Sequence, residues 1–132
     1  MDNNFTIYPT HTCFDDVIDF INYEFICKNP IDKYLIFHVI RWTKELGDHS
    51  HAFVIDTDKN EVIDHGLMFN NDRVQFRCHV PDYLAENVFK KTVCYTPLEC
   101  FQLQRSTGIM GPWDKDIVKV TGDNYRKNRD KK

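Results

Sequence analysis

Between Thr12 and Pro30 the apolar residues Phe14, Val17, Ile18, Ile21 and Phe25 recur at the spacing that lines one face of a helix. The pattern predicts an amphipathic helix that begins near Cys13 and buries that face. Thr12, followed at the capping-box spacing by Asp15, is placed to cap it, and Asn29-Pro30 stops it. The rhythm then changes. Tyr34 to Trp42 is continuously apolar and rich in β-branched and aromatic side chains, which predicts a buried strand. Gly47 to Ser50 reads as a loop. His51 to Ile55 and Glu61 to Asp64 read as two short strands, joined into an antiparallel hairpin by the polar turn formers Asp56 to Asn60. A further strand is expected from Val74 to Val80.

Pro81 to Lys91 places Tyr83, Leu84, Val88 and Phe89 at helical spacing and predicts a second helix. Thr96-Pro97-Leu98-Glu99 opens a third with a Thr cap, Pro in the first turn and Glu closing the capping box, and Gly108 is placed to end it. Gly111-Pro112-Trp113-Asp114 reads as a turn whose Trp closes the core. From Thr121 the chain is polar and ends in Arg126, Lys127, Arg129, Lys131 and Lys132, so residues 121–132 are expected to be a flexible tail behind a single domain over 1–120. The expected class is α+β: an N-terminal helix packed on an antiparallel sheet, with two further helices in the C-terminal half.

Composition agrees with a packed globular unit. The chain has 132 residues, 42% hydrophobic and 14% aromatic, which suits one domain with one core. A formal net charge of -3 gives no overall field for nucleic acid or an anionic membrane, and no nucleic-acid or membrane partner is expected. Met1-Asp2-Asn3-Asn4 lacks the basic-then-apolar form of a secretion signal, and Cys13, Cys27, Cys78, Cys94 and Cys100 lack paired disulfide spacings. Both observations point to a cytoplasmic protein with reduced thiols.

Candidate chemistry centres on Cys13. A helix N-terminus favours thiolate through unpaired N–H groups and the positive end of the dipole, although Asp15 and Asp16 oppose the effect. A nucleophile also needs a base, and the base needs an orienting group. The hairpin supplies both: with its turn centred on Asp58 and Lys59, position 53 lies opposite 64, and His51 and Asp64 project from one face as diagonal neighbours. The six histidines fit no metal motif: His65 falls on the opposite face from His51, and neither His-Glu-x-x-His nor Cys-x-x-Cys occurs. No metal or cofactor is expected, and His38, inside an apolar strand, reads as a hydrogen-bonded core histidine.

Thr12-Cys13-Phe14-Asp15, then His51-Ala52-Phe53-Val54, then Val62-Ile63-Asp64 resemble the core of transglutaminase-like proteins within the papain-like cysteine superfamily. The resemblance covers about Thr10 to Phe69. It implies a core of one helix followed by three strands, and a triad of Cys13, His51 and Asp64. Cys13 would attack an amide or ester carbonyl, with His51 as base and then acid and Asp64 fixing the imidazole, on a protein or peptide substrate. The Gln that papain relatives carry shortly before the nucleophile is missing between Met1 and Cys13, which leaves Tyr8 or the Cys13 amide to hold the oxyanion. The competing expectation is a non-catalytic interaction module on a similar scaffold, bound to a protein partner.

Overall fold

A computed structural model describes residues 5–7, 12–69 and 72–130. The elements run β1 (Phe5–Ile7), α1 (Thr12–Ile26), β2 (Tyr34–Thr43), β3 (Gly47–Asp56), β4 (Glu61–Phe69), β5 (Asp72–His79), α2 (Val80–Glu86), β6 (Val88–Tyr95), α3 (Pro97–Thr107) and α4 (Lys115–Asp130). The fold is α+β. Six strands form one sheet in the order β1-β4-β3-β2-β6, with β5 also on β4, and every pairing is antiparallel.

Strand alternation divides the core into two layers. On one face Ile36, Ile40, Ala52, Val54 and Ile63 meet Phe14, Val17, Ile18 and Ile21 of α1, Cys100 of α3 and Ile117 of α4. On the other, Val39, Phe53 and Val62 meet Tyr83 of α2, with Phe37, Phe76 and Phe89 around them. Three helices therefore cover one face and the short α2 covers part of the other. The predicted stripe of α1 is buried as far as Ile21, but Phe25 is 61% exposed, because the helix runs past the sheet in its last turn.

Three elements differ from the sequence expectation. The helix predicted over Pro81–Lys91 stops at Glu86, and Val88–Tyr95 is strand β6 along β2. The register jumps from Ile40↔Lys91 to Arg41↔Phe89, so Lys90 is a bulged extra residue. The bulge turns Phe89 to the α2 face while Val93 and Tyr95 stay with the other layer, and it is this break in alternation that resembles helical spacing. The loop expected at Gly47–Ser50 is the first part of β3. The polar stretch expected as a tail over 121–132 is helical to Asp130, and its second turn is tied to β3: Thr121 donates to Ser50 Oγ at 2.7 Å, and Asn124 donates to the Asp48 carbonyl at 3.0 Å. The C-terminal half thus holds three helices where two were expected.

The capping box of α3 forms as read: Thr96 Oγ1 accepts from Glu99 N at 3.2 Å, and Glu99 Oε1 accepts from Thr96 N at 2.9 Å. Gly108 closes the helix in the left-handed conformation at φ 77°. Among the described residues no helix is long and apolar enough to cross a membrane.

Candidate functional site

The β3–β4 hairpin pairs Val54 with Ile63 and Ile55 with Val62, the register that sets position 53 against 64. His51 and Asp64 share the α2 face, and His51 Nε2 lies 2.8 Å from Asp64 Oδ2. Tyr83, from α2, donates its hydroxyl to the same oxygen at 2.5 Å. All three are buried. The ladder between β3 and β4 ends at Val54↔Ile63, and from Leu67 onward β4 pairs with β1 after an irregularity beyond Asp64. The two strands part where His51 and Asp64 stand.

Cys13 occupies the first turn of α1, and its thiol accepts the backbone N–H of Ala52, the residue that follows His51. The bond draws the helix N-terminus against the edge of β3, between the layer under α1 and the layer that holds the His51–Asp64 pair. Cys13 feels the charges of Asp64 and Arg41, so all three predicted residues lie in one neighbourhood. The thiol is only 1% exposed, and burial pushes it up to about 12, a rise that the Asp64 charge increases and the Ala52 N–H and Arg41 oppose. His51 is shifted down, first by burial and further by Arg41, against the pull of Asp64. At neutral pH the resting pair is thiol and neutral imidazole. With Asp64 holding Nε2, Nδ1 is the imidazole nitrogen left to exchange a proton.

Arg41 and Tyr83 had not been singled out as site residues. Arg41 pairs with His49 across β2 and β3, one same-face step from the Val39↔His51 pair. Its Nε donates to His49 Nε2 at 3.0 Å and its Nη1 to Asn87 Oδ1 at 3.3 Å. His49 Nδ1 sits 3.0 Å from the Gly47 carbonyl, which makes Nδ1 the protonated nitrogen, and burial pushes His49 down to about 4. The sequence signal for Arg41 was its position inside an otherwise apolar strand. Tyr83 gave none, because its partner is 19 residues away and the intervening strand hides the approach.

His38 differs from its expected role. It is wholly buried, yet neither ring nitrogen has a hydrogen-bond partner. Phe14, Tyr95 and Trp113 surround it with ring centroids at 4.7, 5.0 and 5.3 Å. Burial lowers it to about 3, so it is a neutral ring in the core. Trp113 closes that layer as expected and donates its indole N–H toward Thr107 and Ile109.

His65 lies on the α1 face near Phe20, opposite His51, and no metal-holding group of side chains occurs among the described residues. Tyr8 falls outside the described residues. All five cysteines are thiols rather than disulfides. The chain matches no protein-family model, no curated protein and no solved structure.

Proposed function

We propose that this chain performs cysteine-dependent acyl chemistry through Cys13, His51 and Asp64, on a transglutaminase-like arrangement of α1, β2, β3 and β4, in a reducing compartment such as the cytoplasm. The observation that carries this reading is the meeting of a helix-N-terminal thiol with a buried His–Asp pair through the edge of one strand. His51 Nδ1 takes the Cys13 proton as sulfur attacks the carbonyl carbon; the imidazolium then gives that proton to the departing amine or alcohol, leaving a thioester. Water or an amine attacks the thioester, and sulfur leaves as the thiol. Asp64 holds Nε2–H and offsets the charge on the imidazolium, while Tyr83 keeps the carboxylate in place. Since a thiol near 12 is inert by itself, proton transfer to His51 has to accompany attack.

The test is acylation of the intact protein by a p-nitrophenyl ester, followed by mapping of the modified peptide. The reading predicts an adduct on Cys13 that is lost in Cys13→Ser and slowed at least 100-fold in His51→Ala. Adducts spread over exposed Cys27 and Cys94, with Cys13 unmodified, would contradict it.

The near-complete burial of the thiol favours a second reading, in which Cys13, His51 and Asp64 are a structural network and the chain is a protein-interaction module. Its candidate surface is a groove of about 750 Å³ between α1 and α3, walled by Phe25, Ile31, Leu98 and Phe101. The same acylation experiment separates the two, since a structural network leaves Cys13 unmodified.

A further inference from the structure

We propose that Arg41 anchors a carboxylate carried by the acyl substrate, a proposal that rests on the acyl-chemistry reading above. Arg41 is 6% exposed, and both of its protein acceptors, His49 Nε2 and Asn87 Oδ1, are neutral. Among the described residues no carboxylate lies within ion-pairing distance of it, and Nη2 has no protein partner. Asp64, whose charge is nearest in effect, receives His51 and Tyr83 on one oxygen. A buried guanidinium held only by neutral acceptors is costly, and an arriving anion repays that cost.

The frame around Arg41 is built to hold its plane. His49 is oriented by the Gly47 carbonyl, and Asn87, at the end of α2, donates to the Tyr83 carbonyl at 2.8 Å. Nε and Nη1 are thereby fixed and the Nη2 side is left for a ligand, with the fork geometry that suits a carboxylate. Arg41 also acts electrostatically on both Cys13 and His51, so it looks onto the same site. The inferred substrate class is an acyl compound with a carboxylate near the scissile bond, either a small acid or an acidic peptide.

Two alkylating reagents of matched size test this. Iodoacetate and iodoacetamide both transfer a CH₂ carbon to sulfur with loss of iodide and the thiol proton, but only iodoacetate carries a carboxylate. The rate ratio, iodoacetate over iodoacetamide, is measured for Cys13 with exposed Cys27 of the same molecule as reference. The ratio at Cys13 is expected to exceed that at Cys27 by about tenfold, to fall to the Cys27 value in Arg41→Gln, and to survive largely in Arg41→Lys. Equal ratios at Cys13 and Cys27 in the parent protein overturn the anchor without reference to any variant, as does a ratio unchanged in Arg41→Gln. If Cys13 reacts no faster than buried Cys100 with either reagent, the acyl-chemistry reading fails and the anchor with it. That result is distinct from one in which iodoacetamide alone is favoured.

Discussion

Oδ2 of Asp64 receives two donors in a site closed to solvent, and the loss of either is felt locally. Tyr83→Phe removes a hydrogen bond to a charged group and keeps the ring packing, so it is expected to cost about 1.5–3 kcal/mol in urea unfolding; a change below about 0.5 kcal/mol would show that the hydroxyl is not bonded to the carboxylate. The buried histidines predict a direction for acid sensitivity. In the unfolded chain His38 and His49 take up protons below about pH 6.5, whereas in the folded chain burial holds them neutral down to about 3 and 4. Stability is therefore complete above pH 6.5 and falls as the pH drops toward 4, by about 2 kcal/mol for His38 at pH 5. Thermal unfolding at pH 7 and 5 measures the loss, and His38→Phe is expected to shrink it; an equal loss in parent and variant would place the acid sensitivity elsewhere.

At the level of elements, what was legible in the sequence was what local chemistry encodes. Thr96, Glu99 and Gly108 delimit α3 through hydrogen bonds and a left-handed residue, all within one stretch of chain. Thr96→Ala is expected to cost about 1 kcal/mol and Gly108→Ala a similar amount. Gly111→Ala is expected to cost more than Gly108→Ala, because its φ is 117° and a Cβ there would stand 2.9 Å from the His38 ring, whereas Gly108 faces open space. Denaturant unfolding of the three variants ranks them, and a Gly111→Ala protein as stable as Gly108→Ala would refute that packing. The His51–Asp64 geometry was legible for the same local reason: a tight hairpin fixes register, and register fixes faces. Elements set by distant partners were not. Val88–Tyr95 is drawn into strand by β2 through a bulge, and Thr121 and Asn124 anchor a polar helix through bonds to Ser50 and Asp48, more than seventy residues away.

Taken whole, the molecule places its reactive groups at the seam between two layers, reached from one side by the N-terminus of α1 and from the other by side chains beneath α2. That seam was not legible either. Alternation shows which face of a strand a residue takes, but the parting of β3 from β4 beyond Ile63 depends on β1 and β5 competing for β4. Nor did the sequence reveal how deeply the thiol lies, since Cys13 is covered by residues from separate elements. Catalysis and structural burial make opposite demands on that sulfur: one needs it to share a proton with His51, the other keeps it permanently neutral.

The most direct measurement is the alkylation rate of each cysteine by iodoacetamide across pH 5 to 9, resolved by peptide mass spectrometry, in the parent protein and in His51→Ala. Proton sharing predicts that Cys13 outpaces buried Cys100, that its rate climbs with an acid limb centred below the free-imidazole value of about 6.5, and that the advantage disappears in His51→Ala. A Cys13 that reacts no faster than Cys100 and is indifferent to His51 would contradict the proposed chemistry and leave the three residues as a structural network.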